Sequence, residues 1–264
     1  MKFAALALVA VLTGCATQTP VTDPVVVYAA GSLRDAFTEV ARDHEARTGQ
    51  KLALTFGPSG LLRERIEKGE GAQVFASADT QHPQRLASGG GWASQTVFVR
   101  NSLCALARPG LALNTGNLLE TLLRPEVKLG MSTPKADPSG DYALALFQKA
   151  EAVVPGSQAR LTNKALQLTG GPNSPAAPAG RNLYAWVMEQ GRADVFLTYC
   201  TNAMAARQQL AALQVVAVPP TLQVGAAYGL TVRQGAPAAA DAFAKALLAP
   251  PAQTILARHG FGAP

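Results

Sequence analysis

Val25-Val26-Val27-Tyr28-Ala29-Ala30-Gly31-Ser32-Leu33 reads as a strand running straight into a helix. Six apolar residues in a row suit a strand covered on both faces, the habit of parallel sheets. The run stops at Gly31-Ser32. Apolar residues then recur at Leu33, Ala36, Phe37, Val40 and Ala41 with helical spacing, closing near Gly49. Ser32 with Asp35 three residues on resembles a capping box with the shorter acid. The unit repeats: Leu52 to Phe56 predicts a strand, Gly57-Pro58-Ser59-Gly60 a turn, and Leu61 to Ile66 a helix stopped at Gly69. Val74-Phe75-Ala76 is a third strand, ending in Ser77-Ala78-Asp79. Strands alternating with helices predict an α/β protein with mainly parallel pairing.

Further along, Ser102 to Ala107 and Lys128 to Met131 read as strands, and Pro138-Ser139-Gly140 opens a helix from Asp141 to Ala150. Gly170 to Gly180 is a Gly/Pro/Ser/Ala-rich loop, followed by a helix over Arg181 to Gln190 and a strand over Ala193 to Tyr199. Ala226 to Val232 predicts a strand, with helices over Pro237 to Leu248 and Ala252 to His259. Two similar α/β halves joined by extended strands are the simplest arrangement.

The chain has 264 residues, 15% charged and 48% apolar, which describes a globular protein with ample core and excludes disorder. Lys2 and the apolar run Phe3 to Leu12 have the form of a secretory signal. Leu12-Thr13-Gly14-Cys15 resembles a bacterial lipobox, so residues 1–14 are expected to be removed and Cys15 to carry a lipid. An ordinary signal with an incidental cysteine is the plainer alternative. Residues 15–24 then form a polar, proline-bearing tether, and the address is periplasmic and membrane-anchored. Ala16 after Cys15 points to the outer membrane. What remains carries 22 Lys and Arg against 17 Asp and Glu without a basic run, which argues against nucleic acid and suits capture of an anion. No apolar run reaches the ~20 residues of a membrane span. Cys104 and Cys200, outside the cytoplasm, either bridge or remain as two buried thiols. With His44, His82 and His259 scattered, no metal-ligand spacing is present.

Three strand–turn–helix junctions carry a serine: Ser32, Ser59 and Ser139. Taken singly, each reads as the cap of its own helix. Converging in a cleft, three helix N-termini would make an anion site without charged side chains. A secreted serine hydrolase using Ser59 is a competing reading. Gly57-Pro58-Ser59-Gly60-Leu61 lacks the final glycine of G-x-S-x-G, however, and no histidine lies near a partner motif, so no enzyme is expected.

Tyr28 to Leu33, Phe56 to Leu61, Phe75 to Asp79, Arg100-Asn101-Ser102-Leu103, Thr133-Pro134 through Ala143, Ala193 to Tyr199 and Arg258-His259-Gly260-Phe261 follow one another as do the motifs of periplasmic molybdate-binding proteins. The chain resembles this family over most of residues 25–262. The resemblance implies a two-domain, type II-like periplasmic-binding-protein fold with the ligand cleft between domains. Domain I would hold 25–98 plus 230–264, and domain II 99–229. It implies a monomer that takes up a tetrahedral oxyanion, molybdate or tungstate, through hydrogen bonds, with no cofactor. The anion would pass to an ABC permease and its ATPase. Matched by motif, the ligand contacts fall on Ser32, Ser59, Ser139 and Tyr199, with a further position near Arg181. Two departures stand out. Arg181 replaces an aliphatic residue that offers only its backbone N–H, and Cys200 replaces the usual glycine or alanine. A guanidinium there would bind oxyanions or carboxylates in bidentate fashion, or else point to solvent or pair across the domain. The same fold binding another small anion, a carboxylate or other oxyanion, is the alternative.

Overall fold

The computed structural model describes residues 23–264, so the expected signal, the Cys15 lipidation and most of the tether lie outside the described residues. The buried run Val25–Ala30 forms β1, paired in parallel with β2 (Leu52–Gly57) on one side and β3 (Val74–Ser77) on the other. A 3₁₀ turn, Gly31–Leu33, leads from β1 into helix α1 (Arg34–Thr48). Helices α2 (Ser59–Glu67) and α3 (Gln81–Ser88) follow β2 and β3.

The joint between the lobes is β4 (Thr96–Ala107). Only its second half was expected from the sequence. Its first half pairs antiparallel with β9 (Gly225–Val232), which also pairs with β3. Its second half, Leu103 to Ala107, pairs antiparallel with β7 (Val195–Tyr199) and with β8 (Gln214–Ala217). β5 (Leu129–Ser132) lies between β7 and β6 (Leu166–Thr169), parallel to both. The strands thus run β2-β1-β3-β9-β4-β7-β5-β6, with β8 as a branch on β4. Helices α4 (Leu118–Leu123), α5 (Pro138–Val153), α6 (Ser157–Lys164), α7 (Leu183–Glu189) and α8 (Cys200–Gln209) belong to the second lobe, and α9 (Ala238–Leu248) and α10 (Pro250–Arg258) return to the first.

Packing explains the returning segment. Phe37 of α1, Phe98 of β4 and Phe243 of α9 are fully buried and meet edge to face, with ring centroids 5.8 and 6.5 Å apart. Phe261 lies 5.6 Å from the Tyr228 ring, while Gly262 exchanges both backbone hydrogen bonds with Arg100 of β4. In the second lobe a disulfide joins Cys104 of β4 to Cys200 at the start of α8.

Candidate functional site

The site elements sit at the C-terminal ends of parallel strands, where α/β folds leave backbone donors open to a ligand. Ser32 follows β1, Ser59 follows β2 and Ala78 follows β3. From the other lobe, Ser139 lies in the first turn of α5, beyond β5, and Tyr199 is the last residue of β7.

The expected capping role fails at all three serines. In place of the Ser32–Asp35 capping box, Ser32 lies inside the 3₁₀ turn, and its hydroxyl is 2.9 Å from the Tyr228 phenol. Ser59 follows the cap position, held by Pro58, and its Oγ accepts from the Ala78 N–H at 3.1 Å. The cap of α5 is Asp137, whose carboxylate accepts from the Ser139 N–H at 3.0 Å. The Ser139 hydroxyl is buried and has no partner among the described residues.

Ala78 links the two sides. Its N–H goes to Ser59 of the first lobe, and its carbonyl accepts from the Tyr199 hydroxyl of the second at 3.3 Å. The Tyr199 ring lies 5.5 Å from Tyr228 and 6.1 Å from Tyr142. Burial holds the Tyr199 and Tyr228 phenols well above their ordinary value, so both remain neutral donors. Gly60 brings the lobes into backbone contact. Its N–H donates to the Ala136 carbonyl at 2.9 Å, and a Cβ on it would stand 2.1 Å from the Lys135 carbonyl oxygen. Beside this contact a cleft of about 750 Å³ opens between Arg63, Asp79 and His82 of the first lobe and Lys135, Asp141 and Tyr142 of the second. A groove of about 740 Å³ between α8 and β8 lies away from these residues.

Arg181 is not brought to this group. It is exposed, with its guanidinium 2.5 Å from the Glu189 carboxylate and 3.3 Å from the Gln209 side-chain oxygen. The helix expected from Arg181 begins instead at Leu183, capped by Asn182, whose Oδ1 accepts from the N–H groups of Tyr184 and Ala185. Sequence reasoning passed over Asp137, although Asp137-Pro138-Ser139 has the form of a cap followed by proline at the first helical position. It also gave no role to Asn101 and Tyr228, which carry the Ser32 hydroxyl. Among the described residues no group of three or more His, Cys, Asp or Glu side chains is placed to hold a metal.

Chemically the arrangement offers donors. Ser59 accepts a backbone hydrogen bond, which leaves its own proton for a ligand. At the helix starts the Gly60 N–H is already held by the Ala136 carbonyl and the Ser139 and Gly140 N–H groups by Asp137, so the side-chain hydroxyls and the positive ends of the α2 and α5 dipoles make up the set. Such a set stabilises an anion by dipoles, without an ion pair.

Two lobes joined by crossing strands, with strand ends and helix N-termini facing across a cleft, make this a periplasmic-binding-protein fold. The chain belongs to the bacterial extracellular solute-binding protein family, whose model matches residues 25–262. It is similar to uncharacterized protein PM1146 of Pasteurella multocida, 38% identical over 205 residues that span 77% of this chain and 85% of that one. It is also similar to the molybdate-binding protein ModA of Mycobacterium tuberculosis, 27% identical over 270 residues that span 97% and 95%. Among solved structures, the periplasmic molybdate-binding protein of Azotobacter vinelandii superposes with a TM-score of 0.72 at 19% identity, covering 91% of this chain and 99% of that one. The sulfate-binding protein SubI of M. tuberculosis gives 0.74 at 19%, covering 91% and 86%. PEB3 bound to L-phospholactate gives 0.71 at 15%, covering 91% and 100%. The chain is an extracellular solute-binding protein by family, and no described helix is long and apolar enough to cross a membrane.

Proposed function

We propose that this protein captures a tetrahedral oxyanion, molybdate or tungstate first among them, and delivers it to an ABC permease driven by its ATPase. The observation that carries the reading is the meeting of Ser59 and Tyr199, from opposite lobes, on the backbone of the single residue Ala78, with neither serine of the first lobe used as a cap. Ser32, Ser59, Ser139 and Tyr199 are the ligand contacts in this proposal. An anion entering between the lobes would take the free protons of Ser32 and Ser59 and draw the Tyr199 proton away from the Ala78 carbonyl. The full-length similarity to ModA supports molybdate as the leading ligand. The lobes would act as bodies made of 25–98 with 230–264 and of 99–229, and Cys15 would tether the protein to a membrane.

A second reading keeps the fold and changes the anion. It is favoured by the Ser139 hydroxyl, a buried donor without a partner among the described residues, and by the similar fold of a sulfate-binding protein and of PEB3 bound to L-phospholactate. Calorimetric titration with molybdate, tungstate, sulfate, phosphate and small carboxylates separates the two. Molybdate or tungstate binding tightest supports the first reading, and a carboxylate or sulfate binding tightest supports the second. Ser32→Ala and Ser59→Ala are each expected to weaken the preferred anion roughly tenfold to a hundredfold, the range for losing a hydrogen bond to a charged group. Parental affinity in both variants would refute the site.

A further inference from the structure

We propose that Asn101 and Tyr228 are positioning residues that fix the Ser32 hydroxyl as a donor towards the bound anion. The inference rests on the oxyanion reading above and follows from counting protons. The Ser102 N–H donates to the Asn101 Oδ1 at 2.9 Å. A backbone N–H can only donate, so this bond sets which end of the Asn101 amide is oxygen. The Nδ2 end then faces the Thr201 hydroxyl at 2.9 Å and the Tyr228 hydroxyl at 3.2 Å, using both of its hydrogens. Tyr228 therefore accepts from Asn101.

The phenol has one proton left to place. Its remaining partner among the described residues is the Ser32 Oγ at 2.9 Å. Were Ser32 the donor instead, the Tyr228 proton would be left without an acceptor at a fully buried side chain, and buried hydroxyls are rarely left so. The order is Asn101 to Tyr228 to Ser32. Ser32 thus receives a proton and keeps its own for the cleft. Successive bonds of one direction also polarise each other, which strengthens the last donor.

The two serines of the first lobe reach the same state by different means. Ser59 is set by the backbone N–H of Ala78, and Ser32 by a chain of side chains. The chain starts on the joint, since Asn101 lies on β4 and Tyr228 on β9. Thr201, on α8 of the second lobe, holds the other Asn101 hydrogen.

The test is calorimetric titration of the full chain with molybdate and with sulfate. The proteins compared are the parent, Ser32→Ala, Tyr228→Phe, Asn101→Leu, and Ser32→Ala combined with each of the latter two. Tyr228→Phe keeps the ring packed and removes only the hydroxyl. It is expected to weaken the bound anion about tenfold in the parent background and not at all in the Ser32→Ala background. Asn101→Leu should behave in the same way. If it fails to fold, Tyr228→Phe decides alone. A purely structural role would lower affinity equally in both backgrounds and would overturn the proposal. So would Tyr228→Phe binding as the parent does while Ser32→Ala is weakened, which leaves the site reading intact. Ser32→Ala with parental affinity overturns this inference, and parental affinity in Ser59→Ala as well, or a parent that binds neither anion, overturns the oxyanion reading with it.

Discussion

Asp137 caps α5 with a carboxyl that burial raises to about 6, against the lowering effect of hydrogen bonds from the Ser139 N–H and the Ser132 hydroxyl. An acid whose folded value lies above its unfolded value, near 3.8, holds its proton more tightly in the folded protein. Its contribution to stability is therefore present at low pH and lost as pH rises from about 4 through about 6, by an amount on the order of 3 kcal/mol. Asn caps as well as Asp and does not titrate. Urea unfolding at pH 4 and pH 7 should show parent stability falling relative to Asp137→Asn as pH rises. A constant difference between the two would refute the buried-carboxyl account. Arg181 gives a prediction of the opposite kind. Paired with Glu189 and Gln209 on the exposed side, it should be replaceable by methionine with less than about a twofold change in anion affinity, because exposed ion pairs contribute little. A larger loss in a calorimetric titration would return Arg181 to the cleft.

At the scale of elements, the disulfide ties the crossing strand β4 to the first residue of α8 across 96 residues of chain. A cross-link closing so long a loop restricts the unfolded chain strongly. Replacing both cysteines by serine should cost about 2–5 kcal/mol in denaturant unfolding. Equal midpoints with and without reductant would count against it. The elements themselves were unevenly legible. The strand over Val25–Ala30 and its successors could be read because continuous apolar runs ended at turn residues. The first half of β4 could not, because Arg100 and Asn101 interrupt its pattern, and what holds them there is the C-terminal Gly262 and the Tyr228 hydroxyl. Ser32 looked like a cap because Asp35 stood at the right spacing, whereas its partner Tyr228 is 196 residues away. Arg181 was placed beside the pocket by the motif match to the family, in a segment that follows a loop whose course the sequence does not determine. Contacts distant along the chain account for β4 and Ser32, whereas Arg181 is held by Glu189 eight residues on.

Over the whole molecule, the arrangement of lobes hangs on a few backbone contacts. Gly60 touches the Lys135–Ala136 segment so closely that a methyl group there would meet carbonyl oxygens at 2.1 and 2.8 Å. Backbone atoms of that kind yield only if the lobes part. Gly60→Ala is therefore expected to expand the protein in small-angle scattering. It should also weaken anion binding about tenfold, which corresponds to ~1.4 kcal/mol against the closed form, while each lobe stays folded. An unchanged scattering profile would show that the contact does not set the spacing.

The strand order has a consequence in time. β9 lies between β3 and β4, so the sheet of the first lobe is completed by residues that leave the ribosome after the entire second lobe. Until then β3 presents an open edge, and Ser32 has no Tyr228 to receive a proton from. The last strand to be synthesised closes the sheet and orients the serine in one event, so a chain released early is incomplete in structure and in binding alike. A growing chain of this design needs its edge shielded until its end arrives.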